Sequence, residues 1–148
     1  MLDPTVELGD LHIHVGGAVA PHVLWSIAHE QGFKLPVQTY WEFCDLVSAT
    51  PNKVSSQEDY LAILHQWTEK IQSSPAAIER SVHEIVGKEF RSSRVTLLEI
   101  VARSEHVGCS DVLRAQIVPT VQIFRATPAC VIYQPRRTEI FLFRAASL

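Results

Sequence analysis

Long apolar runs are missing from this 148-residue chain. None has the roughly 20 residues that a bilayer-spanning helix needs. The first residues also lack the basic-then-apolar pattern of a secretory signal. Cysteine is scarce: Cys44, Cys109 and Cys130 are far apart and odd in number. That argues against a disulfide framework, and a reducing cytoplasm is the expected compartment. Cys44 has no partner at a defined spacing, which argues against a catalytic thiol. An excess of basic charge is missing too, since the net charge is −3 and the pI is about 6.1. Nucleic acid and membrane are therefore not expected as partners. There is no internal repeat and no low-complexity linker. What remains is an ordinary globular composition, 47% hydrophobic and 20% charged, with enough chain for one domain and its core.

The charge is unevenly spread. Residues 1–100 hold seven basic side chains (Lys34, Lys53, Lys70, Arg80, Lys88, Arg91 and Arg94) against thirteen acids. Residues 101–148 hold six arginines, no lysine, and only Glu105, Asp111 and Glu139 as acids. The balance changes sign near residue 100.

Hydrophobic spacing predicts the elements. VELGDLHIHV, residues 6–15, reads as a strand in which Leu11, Ile13 and Val15 alternate with Asp10, His12 and His14. Pro21 opens a helix through Val23, Leu24, Ile27 and Ala28, and Gly32 stops it. Thr39 and Glu42 are spaced as a capping box for a short helix through Phe43 and Leu46. Ser56 caps a second helix, whose apolar face is Tyr60, Leu61, Leu64, Trp67 and Ile71. Ser74 and Pro75 start a third, with Ile78, Val82, Ile85, Val86 and Phe90 in one stripe. VTLLEIV, residues 95–101, is a compact apolar strand. Strand, helices, strand is the order of an α/β protein with parallel strands. Beyond residue 101, VPTVQIF and CVIYQ read as strands, and TEIFLFRAA fits either strand or helix.

Chemistry concentrates in LHIHVGG, residues 11–17. On a regular strand His12 and His14 share one face, which is the spacing of a metal-ligand pair. The plainer alternative is two polar residues turned to solvent or to a backbone carbonyl. Gly16 and Gly17 are not followed by G-x-x-x-x-G-K, so they read as a tight turn rather than a phosphate cradle. His22, His29, His65 and His83 fall on helices and read as surface or packed residues. Trp25, Trp41 and Trp67 read as core or interface anchors, not as a base-stacking platform. Glu99, at a strand end, reads as a solvated carboxylate or as a residue supporting a site.

ELGDLHIHVGGAVAPHVLWSIAHEQGFKLP resembles the start of the adenosine deaminase family of metal-dependent amidohydrolases. In that family a first barrel strand ends in His-x-His, followed by Gly-Ala or Gly-Ser and a helix. Leu11-His12-Ile13-His14 and Gly17-Ala18 match that arrangement, and SPAAIERSVHEIVGKEFRSSRVTLLEI resembles the segment leading into the second strand. The resemblance covers roughly residues 5–100. It implies an α/β fold, the N-terminal part of a (β/α)₈ TIM-type barrel. It also implies zinc held by His12 and His14, with His14 and Gly16 beside the substrate. The implied reaction is hydrolytic deamination of a purine nucleoside or a related amine: zinc acidifies a water that attacks C6, and ammonia leaves.

The sequence departs from the family in two respects. Gly16 stands where the family carries an acid that contacts the ribose, which admits another purine or nucleoside-like amine as substrate. The chain is also shorter than the roughly 250 residues of such a barrel. The later His-Ala-x-Glu and Asp-Asp segments are missing, and neither His106 nor Asp111 has the context to replace them. The expected organisation is therefore an adenosine deaminase-like part over 1–100, with a divergent or frame-shifted tail of uncertain structure over 101–148. With only two ligands, the short chain alone is expected to be inactive. The competing expectation is a truncated, inactive protein or a partner-dependent binding or assembly module. Such a chain would self-associate through exposed barrel edges.

Overall fold

The computed structural model describes residues 8–93, 95–103, 126–134 and 138–145. His106, Asp111 and VPTVQIF lie outside them. The described elements run β1 (Leu8–His14), α1 (Val15–Ala18), α2 (Pro21–Glu30), α3 (Tyr40–Val47), α4 (Gln57–Ile63), α5 (Glu69–Ile71), α6 (Pro75–Lys88), β2 (Val95–Arg103), β3 (Ala126–Gln134) and β4 (Thr138–Ala145). A π-helical turn, Leu64–Thr68, joins α4 to α5, and a second, Glu89–Ser93, follows α6.

The helix boundaries follow from local chemistry. Thr39 and Glu42 close the expected capping box at α3, and Ser56 closes another with Asp59 at α4. The Ser74 hydroxyl accepts from the Ala77 N–H, and Pro75 occupies the first turn of α6. At the end of α2 the chain turns on Gly32, whose φ is +65°. There Gly32 N–H donates to the His29 carbonyl and Phe33 N–H to the Ala28 carbonyl. This is the paired bonding of a left-handed helix stop, where glycine carries no Cβ penalty.

β1 and β2 are parallel neighbours, and the helices cross over between them. The expected parallel α/β grammar thus holds for this stretch. β4 then pairs antiparallel with β2, and β3 antiparallel with β4, giving the order β1-β2-β4-β3. CVIYQ is part of β3, and TEIFLFRA resolves as strand. The described chain is therefore a mixed helix and strand fold.

The core lies between the helices and one face of the sheet. Leu24 and Ile27 of α2, Phe43 of α3, Ile71 of α5, Val82 and Ile85 of α6, and Ile100 of β2 are all buried there. The α6 stripe is buried as its spacing predicts, with Phe90 half-buried. The face expected for the second helix is only partly used. Ile71 is fully buried, Leu61, Leu64 and Trp67 are half-buried, and Tyr60 is exposed. Two apolar residues depart further from expectation. Leu11 is 63% exposed, because an irregularity in β1 breaks the alternation just before the histidines. Trp41 is 78% exposed on α3, while Trp25 packs against Phe43 in the core layer. Among the described residues no helix is long and apolar enough to cross a membrane.

Candidate metal and substrate site

The two histidines sit at the C-terminal end of β1, and the backbone there is not regular strand. Asp10 pairs with Leu98 and Ile13 with Ile100, so Leu11 and His12 together face the single residue Glu99. This is a bulge, and the extra residue re-aims the side chains around it. His12 carries the strain, with φ at +85°, the left-handed region that non-glycine residues rarely enter. Non-glycine backbone in that region costs roughly 1–3 kcal/mol and tends to sit at functional sites.

The strained backbone brings the imidazoles together. His12 Nε2 and His14 Nε2 are 3.1 Å apart, with the rings edge-on at 77°. At that distance one ring N–H donates to the other ring nitrogen. The opposite nitrogen of His12, Nδ1, lies 3.4 Å from Glu99 Oε1 on β2. Glu99 stands between Leu98 and Ile100, which face the helical core, so its side chain emerges on the other face of the sheet, 21% exposed. Glu99 is thus a partly exposed carboxylate in contact with His12.

This donor set suits a zinc ion as far as it goes. A shared zinc lies about 2.0–2.1 Å from each histidine nitrogen, so its two ligand nitrogens must be near neighbours. A ligating histidine typically donates its other N–H to a carboxylate, which fixes the ring and its tautomer. Glu99, 3.4 Å from His12 Nδ1, stands on the side of the ring where such a carboxylate belongs. Among the described residues no set of three histidine, cysteine, aspartate or glutamate side chains is placed to hold a metal. The pair is thus two ligands with one supporting acid.

The chain leaves the pair through α1, a single helical turn at Val15–Ala18, rather than through a glycine loop. The helical stretch from α4 to α5 lies over this turn. A Cβ on Gly16 would come within 3.1 Å of Glu69 Cγ and 3.4 Å of Glu69 Oε1. One on Gly17 would meet the Tyr60 hydroxyl at 3.3 Å. Glu69 Oε2 accepts a 2.6 Å hydrogen bond from His65 Nδ1. Gln72 Nε2 reaches the Gly16 carbonyl at 3.4 Å. His65 is therefore hydrogen-bonded to a carboxylate beside the turn, which goes beyond its reading as a surface or packed residue. The signal that could have found it is the i, i+4 spacing to Glu69.

The other helical histidines are accounted for as surface residues or packing. His22 is exposed. His29 stacks on the Trp25 ring and donates from Nδ1 to the Trp25 carbonyl at 2.8 Å. His83 is half-buried on α6. Cys44, half-buried, is hydrogen-bonded by Tyr40, which holds the Tyr40 hydroxyl pKa above its ordinary value.

Comparison with known proteins adds to the geometry. The adenosine deaminase family profile matches residues 7–129. An adenosine deaminase of Shewanella denitrificans is 30% identical over 86 residues, which is 58% of this chain and 25% of that protein. The chain thus spans about a quarter of the length of the curated relative it matches.

Proposed function

The chain belongs to the adenosine deaminase family, and from that premise we propose that it carries the first part of a zinc-dependent aminohydrolase site. The substrate class is a purine nucleoside or a related small-molecule amine. His12 and His14 are the metal ligands, and His14 and Gly16 border the substrate. Residues 1–100 are the family's N-terminal part. The face of the sheet that carries Glu99 corresponds to the interior of a (β/α)₈ barrel. Residues 101–148 are a divergent or frame-shifted tail, a reading supported by the change from parallel to antiparallel pairing after β2.

The observation that carries this reading is the 3.1 Å approach of the two Nε2 atoms with Glu99 behind His12. Zinc bound there supplies the acidification of a water molecule at neutral pH. The chain's own residues hold and orient. Glu99 Oε1, 3.4 Å from His12 Nδ1, is the acid that favours a proton on that nitrogen and so leaves Nε2 as a lone-pair donor. The bulge fixes the direction of that lone pair. His14, at the strand end, is the imidazole this reading sets beside the substrate. This is a partial catalytic set, so the decisive test is metal binding rather than turnover.

Zinc binding to the full chain is measured by titration calorimetry and compared with His12→Gly and His14→Ala. Glycine at position 12 tolerates the +85° φ, so its effect reports the imidazole and not the backbone. One zinc per chain, lost in both variants, is expected. Zinc binding that survives both substitutions overturns the site.

A second reading rests on a separate observation. β1 ends the order β1-β2-β4-β3 and leaves Leu11 63% exposed beside the histidines. An edge strand with an exposed apolar side chain is an assembly surface. This reading makes the chain an inactive or partner-dependent module that self-associates through that edge, and its test is oligomeric state.

A further inference from the structure

The histidine pair is half of a coordination shell, set at the rim of the sheet. Zinc takes four ligands in tetrahedral order, and two nitrogens that share it lie about 3.3 Å apart. His12 Nε2 and His14 Nε2, 3.1 Å apart, are spaced to fill two of those positions. Among the described residues they belong to no set of three metal-ligating side chains. β1 is the end strand of the order β1-β2-β4-β3. Both histidines are exposed there, the His12 side chain by 59%. Leu11, 63% exposed, lies next to them in the chain and adds an apolar contact at the same rim. A ligand pair in this setting is open to a second molecule.

We propose that zinc held by His12 and His14 bridges two copies of this chain, each contributing the same imidazole pair. The inference rests on the metal-ligand reading of these two histidines. Twofold symmetry suits it. In an isologous contact one patch meets its own copy, so an ion on the axis receives identical ligands from both sides. Two pairs supply four imidazole nitrogens, a ligand type and a ligand number that zinc accepts. The charges balance as well. Four neutral imidazoles add none, and one Glu99 stands 3.4 Å from Nδ1 of each His12, so two carboxylates offset the dication. Four protein ligands close the shell and leave no position for water, as in structural zinc sites.

The bridge depends on the ratio of zinc to chain. When zinc is limiting, each ion is shared by two pairs. When zinc is in excess, every pair takes its own ion and the copies part, by mass action. Association through the strand edge alone has no such dependence.

The test strips the full chain with a chelator and follows its mass by multi-angle light scattering during zinc addition, with bound zinc measured in parallel. The mass is expected to rise about twofold near half an equivalent of zinc. It is expected to fall back in large excess, as bound zinc approaches one per chain. His12→Gly and His14→Ala are expected to show no rise. If a variant fails to fold, the rise and fall in the unsubstituted chain still decide the matter. Zinc that binds one per chain with no change of mass overturns the bridge and leaves the metal-ligand reading intact. A doubled mass without zinc, or one retained with a full zinc per chain, also overturns the bridge. So does a zinc-driven rise that persists in folded His12→Gly and His14→Ala. A chain that binds no zinc overturns the metal-ligand reading and the bridge with it.

Discussion

His12 pays for its place in backbone strain, and Glu99 is what makes that placement useful. The +85° φ turns the imidazole so that Nε2 meets His14 while Nδ1 meets the carboxylate. Removing the Glu99 charge takes away the acid that stands beside His12 Nδ1. Glu99→Gln is therefore expected to weaken zinc binding by about 10- to 100-fold, as measured by competition with a chromogenic chelator. Far-UV circular dichroism should not change, because the Glu99 side chain lies on the face away from the helical core. The two histidines were legible in the sequence because i, i+2 spacing on a strand puts residues on one face. The bulge was not legible. A one-residue slip in pairing depends on the neighbouring strand, which lies more than eighty residues away in the chain.

Helix ends carry a second group of effects. Ser74 caps α6 and also accepts from Gln31 Nε2 at 2.7 Å, tying the end of α2 to the start of α6. Ser74→Ala is expected to lower stability by about 1 kcal/mol in urea unfolding. The capping acids respond to pH. Bonds from the Thr39 N–H, the Thr39 hydroxyl and the Gln38 N–H hold the Glu42 carboxyl below the usual carboxylate range. The Ser55 hydroxyl and N–H, with Ser56, do the same for Asp59. A carboxyl whose pKa is depressed on folding stabilises the fold fully above its unfolded pKa. That contribution is lost as pH falls through the folded value. Acidification below the usual carboxylate range is expected to fray α3 and α4, seen as loss of helical ellipticity. The Glu42→Gln, Asp59→Asn double variant is expected to show a shallower acid transition. Caps of this kind are local, so Thr39, Ser56 and Ser74 were readable from a few residues each. The π-helical turn at Leu64–Thr68 was not, since its cause lies in what α4 and α5 pack upon.

Across the whole molecule the sheet has two distinct faces and an edge. The helical layer covers Leu98 and Ile100, while Glu99 and the histidine pair belong to the other face. β1 forms one end of the strand order, with Leu11 exposed beside the site. Leu11→Lys places a charge on that edge, which discourages strand-to-strand pairing. If the edge drives association, multi-angle light scattering should show a smaller mass for Leu11→Lys than for the unsubstituted chain at equal concentration. Equal masses would remove the edge as an assembly surface. The exposure of Trp41 belongs to the same scale, because α3 rests on the core through Phe43 and turns Trp41 outward.

The sequence by itself determined the strand that ends in His12 and His14, the capped helices, the apolar stripe of α6 and the resemblance that the family match confirms. All of these rest on interactions within a few residues or on a fixed period. Only the tertiary structure decided the bulge that brings two ring nitrogens within 3.1 Å. It alone placed Glu99 behind His12 and set Glu69 against Gly16. Each of these depends on a partner far away in the chain, and no local period records which distant side chain will fill a given space.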